Sequence, residues 1–378
     1  MFSKRVSRVT HSVPFQLSEQ AAELKKQGRD ISLFGAGETG FETPDYIKYA
    51  AKRAIDAGHT KYTAVAGILP LRQAICEMLK DETGVKYTPE QIVVSGGAKQ
   101  SIWNIMYSLV DEGDEVIAVA PYWLTYTELI KLAGGVVVEV DDISKIPAAI
   151  TKRTKLIMLC SPNNPDGKIL TETELTKLAS DIKDSGVYVM FDDMYARLIY
   201  DGTTQFSIAK VYDKTITVGG LSKSLAMTGW RIGWSACDVE LAGAMTRFQS
   251  HTTHAPCSIA QWAAAEAIAN KAEREKFISH IRELFSERRK YMIERLGKIK
   301  GISFAEPQGA FYVMVNVTKF GEAATVAEEL LHKFDVVVVP CETFGAPGHI
   351  RLSYTQSIEM LKKGLDRIEK YFATKGGA

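Results

Sequence analysis

The stretch GGLSKSLAMTGWRIGW, Gly219 to Trp234, places one long amine, Lys223, among glycines and serines, with an arginine, Arg231, eight positions later in a second Gly/Trp turn. A lysine there adds nothing to packing. At the end of a buried strand it can instead attack a carbonyl, provided its neighbours keep the amine a free base near neutral pH. Lowering its pKa from about 10.4 to about 7–8 takes roughly 3–5 kcal/mol of differential stabilisation. Taken alone, such a lysine is more simply a solvated turn residue, so its surroundings decide.

Working outward, short apolar runs alternate with helical patterns. DEVIAVAP precedes YTELIKLAGG, KLIMLCSP precedes TETELTKLASDIKDSG, and VYVMFDD, TITVGG and IGWSAC continue a series of buried strands. The alternation predicts an α/β unit with a mostly parallel sheet. From about Lys271 the pattern becomes a long charged helix, then the strands GAFYVMVNV and DVVVVP and a closing helix, which predicts a second, smaller α+β unit. In open α/β sheets ligands bind beyond the carboxyl ends of strands. Ser161–Gly167, the pair Asp192 and Asp193, and Lys223 all fall at such ends.

The 378 residues suit two domains. Lys+Arg 46 against Asp+Glu 45 leaves a net charge of +1, which gives no field for nucleic acid or an anionic membrane. No run of about 18 apolar residues predicts a membrane span. The five scattered cysteines show no metal-ligand spacing and read as reduced core thiols, so a cytoplasmic protein without a metal site is expected. GAGETG, Gly35–Gly40, matches a dinucleotide fingerprint by letter. Thr43 and Pro44 read as the cap and first position of the next helix, a turn too late, and no acidic strand end follows about 20 residues on.

A phosphorylated aldehyde cofactor such as pyridoxal 5′-phosphate needs, besides a lysine, a carboxylate for its ring nitrogen, donors for its phenolic oxygen, a face to stack on and an anion cradle. Candidates for each occur in GAGETGFETPDYI, HTKYTAVAG, SGGAKQSIWN, APYW, SPNNPDG, FDDMY, LSKSLAMTGWRIGW, PQGAFY and IRLSY. In this order and over nearly the whole chain, these boxes resemble those of class I pyridoxal-phosphate aminotransferases of fold type I.

The resemblance implies a seven-stranded, mostly parallel sheet flanked by helices in a large domain, residues 41–285, and a small domain from residues 1–40 and 286–378. It implies that Lys223 carries the cofactor covalently and moves the substrate α-proton. Asp192 pairs with the ring nitrogen, and Tyr195 and Asn164 contact the phenolic oxygen, with Pro165 a candidate cis proline. Only one of Asp192 and Asp193 can face the site; the Asp-x-x-Tyr spacing selects Asp192 and leaves Asp193 as a surface or cap carboxylate. Trp123 stacks on the ring. The amides of Ala98 and Lys99 at a helix N-terminus, with Arg231 and Ser222, hold the phosphate. Tyr62 reaches the phosphate of a partner subunit, implying a homodimer with shared sites. Arg351 grips the substrate α-carboxylate, assisted by the Gly37 backbone and Asn164.

Departures from the family pattern are Gly220 where serine or threonine is frequent, Asp166 for threonine, Thr39–Gly40 for Pro-Asp and Cys341 for glycine. The nearest likeness is to the aspartate/prephenate branch, with Lys99 placed for a distal carboxylate. The expected substrates are aspartate and 2-oxoglutarate in a ping-pong exchange. The alternatives are aromatic amino acids, helped by Phe15, Trp103 and Tyr107 if they face the site, a pyridoxal-phosphate β-lyase, or a non-catalytic cofactor-binding domain.

Overall fold

The computed structural model of this protein describes residues 2–375. Its strands are β1 (Ser32–Leu33), β2 (Ile92–Ser95), β3 (Glu115–Val119), β4 (Val136–Val140), β5 (Thr154–Cys160), β6 (Tyr188–Asp192), β7 (Thr215–Gly220) and β8 (Gly233–Ala236). They continue with β9 (Ser303–Phe304), β10 (Tyr312–Asn316), β11 (Val336–Val337), β12 (Val339–Pro340) and β13 (His349–Ser353). Seven of them form one sheet in the order β2-β8-β7-β6-β5-β3-β4. Only β8 runs against its neighbours β2 and β7. A four-stranded antiparallel sheet, β12-β13-β10-β9, and the parallel pair β1-β11 lie apart from it.

The central strands β5 to β7 read as continuous apolar runs because helices cover both faces. One face packs Val93, Val116, Met158, Met190 and Ile216 under α4 (Ala98–Leu109) and α5 (Thr125–Ala133). The other packs Ile117, Ile157, Val189 and Phe191 under the helix Glu172–Ile182. That helix starts where its sequence says it should: Thr171 caps the amide of Glu174, and the Glu174 carboxylate returns to Thr171. The long helix Lys271–Leu296 buries Ile278 in the core beside β2 and β8, and Ile281, Phe285 and Met292 in the core under β10 and β13. One helix therefore belongs to both cores, which is why its apolar residues are not confined to one stripe.

Some local expectations are corrected. Pro44, not Thr43, caps the helix Asp45–Asp56, and Thr43 instead donates to the Ala226 carbonyl at 2.6 Å and accepts the Trp230 indole at 3.0 Å. The cis X-Pro bonds are Ala120–Pro121 and Ser161–Pro162; Asn164–Pro165 is not among them. Cys257 is exposed rather than core, while Cys76, Cys237 and Cys341 are buried. Asp193 is 3% exposed and no surface carboxylate.

Candidate active site

Lys223, Asp192, Tyr195, Asn164, Trp123, Ala98, Lys99, Ser222, Arg231, Gly37 and Arg351 all line one cavity of about 530 Å³ at the carboxyl ends of β5, β6 and β7. A larger groove of about 710 Å³ contains Asp193 but neither Lys223 nor Arg351. Phe191 lines it too, so strand alternation sends Asp193 to the opposite face from Asp192.

Lys223 leaves the end of β7 and donates to the Gly37 carbonyl at 2.7 Å. Burial pushes its ammonium down to about 8, helped by Arg231 and Arg351 and opposed by Glu38 and Asp192. The loop after β7 therefore moves this amine toward the free base that attack on a carbonyl requires.

Asp192 ends β6 with its carboxylate 5% exposed. Its Oδ2 accepts from the Tyr126 hydroxyl at 2.7 Å and its Oδ1 from the Met194 amide at 3.1 Å. Burial raises its pKa, while these donors and Lys223 pull it back. A cation facing this carboxylate would be held in its protonated form. Tyr126, three residues after Trp123 on the same turn, was not singled out from the sequence. Tyr195 shares a hydrogen bond of 3.1 Å with Tyr312, a second residue that sequence reasoning missed.

Arg351, in the middle of β13, is 4% exposed. Its Nη1 donates to Asn164 Oδ1 at 2.8 Å, its Nη2 to the Gly35 carbonyl at 3.3 Å, and its guanidinium lies 4.3 Å from the centre of the Tyr312 ring. Its Nε has no partner. A buried guanidinium with a donor to spare, in a cavity open to solvent, is suited to a ligand carboxylate.

The anion cradle is built on Gly97. This residue has φ +90°, and a Cβ there would sit 2.5 Å from Arg231 Nη2. Arg231 itself has φ +57° and donates to the carbonyls of Thr228 at 2.7 Å and Gly96 at 3.2 Å. The guanidinium thereby lies on the glycine turn that opens α4, where the amides of Ala98 and Lys99 precede any intrahelical acceptor. Gly220 also has a local reason: a Cβ would meet Met194 Cε at 2.7 Å and the Ile232 carbonyl at 3.2 Å, so a side chain there would have to push Met194 aside. Ser222, 6% exposed, is the hydroxyl that lines the cavity instead.

Lys99 Nζ rests 5.1 Å from the centre of the Trp123 ring. Ser12, the N-cap of the helix Val13–Lys26, and Pro14, Phe15 and Ser18 on that helix line the cavity, together with the fully buried Phe344. The segment before that helix is tied down by a bidentate Arg8–Glu112 pair at 3.0 and 2.7 Å and by the Thr10 amide on Glu128 at 2.8 Å. The Trp103 and Tyr107 rings sit 4.2 Å apart, tilted by 37°, and do not line the cavity. Tyr62 is 93% exposed beside His254 and is not brought to the site within this chain.

Comparison with known proteins agrees with this geometry. The family model for aminotransferase class I and II matches residues 29–368. The chain belongs to this family. It is 41% identical over 396 residues to the aspartate/prephenate aminotransferase of Cereibacter sphaeroides, covering 98% of each chain. It is 37% identical to the aspartate aminotransferase of Bacillus subtilis, again over 98% of each. The solved aspartate aminotransferase of Thermus thermophilus with maleate superposes with a TM-score of 0.95 at 39% identity, covering 98% of this chain and 99% of that one. Members of this family are pyridoxal-phosphate enzymes of fold type I, and the mostly parallel seven-stranded sheet flanked by helices is that fold. The residues present fit the cofactor: a neutralisable amine, a buried carboxylate, an aromatic face and a glycine-built anion cradle share one cavity.

Proposed function

We propose that this aminotransferase moves the amino group of L-aspartate to 2-oxoglutarate in two half-reactions at a single site. The observation that carries the substrate reading is the pairing, in one cavity, of the buried Arg351 with its free Nε and the Lys99 ammonium over Trp123. Beside Lys223 and Arg231, which serve the cofactor, these two cations match the two carboxylates of aspartate, glutamate and their oxo acids. The dicarboxylate maleate in the Thermus thermophilus structure and the names of the relatives support it.

When bound, the cofactor supplies the carbonyl that takes up the amino group and the ring that withdraws electrons from the α-carbon. Arg351 holds the α-carboxylate, with Asn164 and the Gly37 backbone fixing its orientation. Lys223 Nζ, unprotonated above about pH 8, would take the proton from the substrate α-carbon and return it to the carbon across the transferred nitrogen, two atoms along. Asp192, oriented by Tyr126, would keep a proton on the ring nitrogen. Tyr195 and Asn164 would serve the phenolic oxygen, Trp123 would offer a face for the ring, and Ala98, Lys99, Ser222 and Arg231 would hold the phosphate. Each half-reaction thus passes one amino group and one proton, and the second reverses the first.

Tyr62, exposed with Tyr49, Ile55 and Leu69, supports a homodimer in which Tyr62 reaches a partner's phosphate. The separate core under β10 and β13 supports a small domain (1–40 and 286–378) beside a large domain (41–285). Among the described residues no helix is long and apolar enough to cross a membrane; free thiols support a cytoplasmic location. Phe15 and Phe344 on the cavity lining favour aromatic amino acids as second substrates.

The test mixes cofactor-loaded protein with single amino acids and no oxo acid, following loss of the cofactor's visible absorbance. Rapid loss with aspartate and glutamate is expected. Loss with phenylalanine or tyrosine alone overturns the dicarboxylate reading, and release of pyruvate or ammonia would make the protein a β-lyase.

A further inference from the structure

Asp193 sits one residue beyond Asp192, on the other face of the sheet, and the functional reading gives it no task. Its Oδ1 is buried and has no hydrogen-bond partner. Trp234, fully buried on β8, carries an indole Nε1 that also has no partner. One is an acceptor and the other a donor. Both lie 2.8 Å from the point where a Cβ on Gly219 would stand, so they are separated by no more than twice that distance. Alanine at 219 would press on both. The absent side chain of Gly219 leaves the gap across which they face each other.

Three neighbouring strands meet at this point. The Asp193 amide donates to the Val218 carbonyl at 2.9 Å, which joins β6 to β7. Gly219 and Trp234 are direct partners across β7 and β8. The same strands lead into the site: Asp192 ends β6, Lys223 follows β7, and Arg231 precedes β8. We infer that the Asp193 carboxyl accepts the Trp234 indole N–H over Gly219, directly or through one water, and that this clamp is a positioning device that sets Lys223 and Arg231 relative to Asp192. Buried indoles and carboxyls ordinarily find partners, and small shifts at a strand end move the residues that follow it. The other charged or titratable groups near Asp193 are Arg197, paired with Glu82, then Asp192 and Tyr87.

The positioning role rests on the reading of Lys223 and Asp192 given above; the hydrogen bond does not. It is therefore tested first on cofactor-free protein. The chain has five tryptophans, so the indole N–H resonances can be resolved in a ¹⁵N-labelled sample, with Trp234→Phe identifying the one concerned. Asp193→Ala should move the Trp234 resonance upfield and speed its solvent exchange roughly fivefold or more, leaving the other four in place. Asp193→Asn, which retains an acceptor oxygen, should restore it. In the loaded enzyme, Asp193→Ala and Trp234→Phe should both shift the pH at which the cofactor's visible band changes, in the same direction, and Asp193→Asn should shift it less. A Trp234 resonance unaffected by Asp193→Ala overturns the clamp. A moved resonance with an unmoved cofactor band in both variants overturns the positioning role.

Discussion

The protonation of Lys223 gives the sharpest quantitative expectation. Its amine lies at about 8 instead of 10.5, with burial the leading cause and Arg231 and Arg351 adding to it, while Glu38 and Asp192 oppose. The difference corresponds to about 3 kcal/mol favouring the neutral amine. At pH 7 roughly one molecule in ten then carries a free amine, against about one in 3,000 for an ordinary lysine, a ratio of about 300. Because the pKa is lowered, reactivity should climb as pH rises from 7 to 9 and level off above, where an ordinary lysine would keep climbing about tenfold per pH unit until near its pKa of about 10.4. The assay is the rate at which cofactor-free protein develops the cofactor's visible band, measured from pH 6 to 11 with Lys223→Ala as the blank. Removing one of the opposing carboxylates in Glu38→Gln should move the midpoint lower still. A rate still climbing about tenfold per pH unit at pH 9, with a midpoint above 10, would refute the argument that this pocket desolvates the amine.

Gly97→Ala forces a side chain into left-handed backbone and onto the Arg231 guanidinium, at a cost of about 1–2 kcal/mol for the backbone alone. Affinity for pyridoxal phosphate should fall roughly tenfold, while pyridoxal without its phosphate binds as before, read by fluorescence titration. Tyr126→Phe removes a donor from a buried carboxylate, worth about 1.5–3 kcal/mol, and should slow the half-reaction with aspartate by an order of magnitude or more in stopped-flow absorbance, with KM little changed. Arg351→Gln should instead raise KM for every amino acid, and Lys99→Ala should raise it for aspartate but not for phenylalanine; equal effects on both substrates would remove Lys99 from specificity.

Much of this site was legible because its polar residues interrupt strands that are otherwise continuous apolar runs. Asp192, Asn164 and Lys223 stand where Val, Ile, Met and Leu stop, and the resemblance supplied their order. Tyr126 and Tyr312 were missed for the same physical reason: an aromatic on a helix or strand facing a core has the spacing of packing, and only its hydroxyl's partner reveals another use. The burial of Asp193 could not be read either, since alternation says the two aspartates diverge but not that α3 (Leu69–Thr83), which carries Glu82, and the helix Lys271–Leu296 cover the second. Gly220 is similar: its glycine reads as a lost phosphate ligand until Met194 is seen to fill the space. The antiparallel setting of β8 follows from a connection, residues 221–232, made of turns with no crossover helix, although its apolar sequence reads like its parallel neighbours.

The central claim is amino-group transfer through Lys223. The direct measurement supplies ¹⁵N-aspartate and 2-oxoglutarate to cofactor-loaded wild-type and Lys223→Ala proteins and follows ¹⁵N in glutamate. Labelled glutamate from the wild type, with none from a variant that still binds cofactor, is the expected result. Wild-type turnover in Lys223→Ala would contradict it.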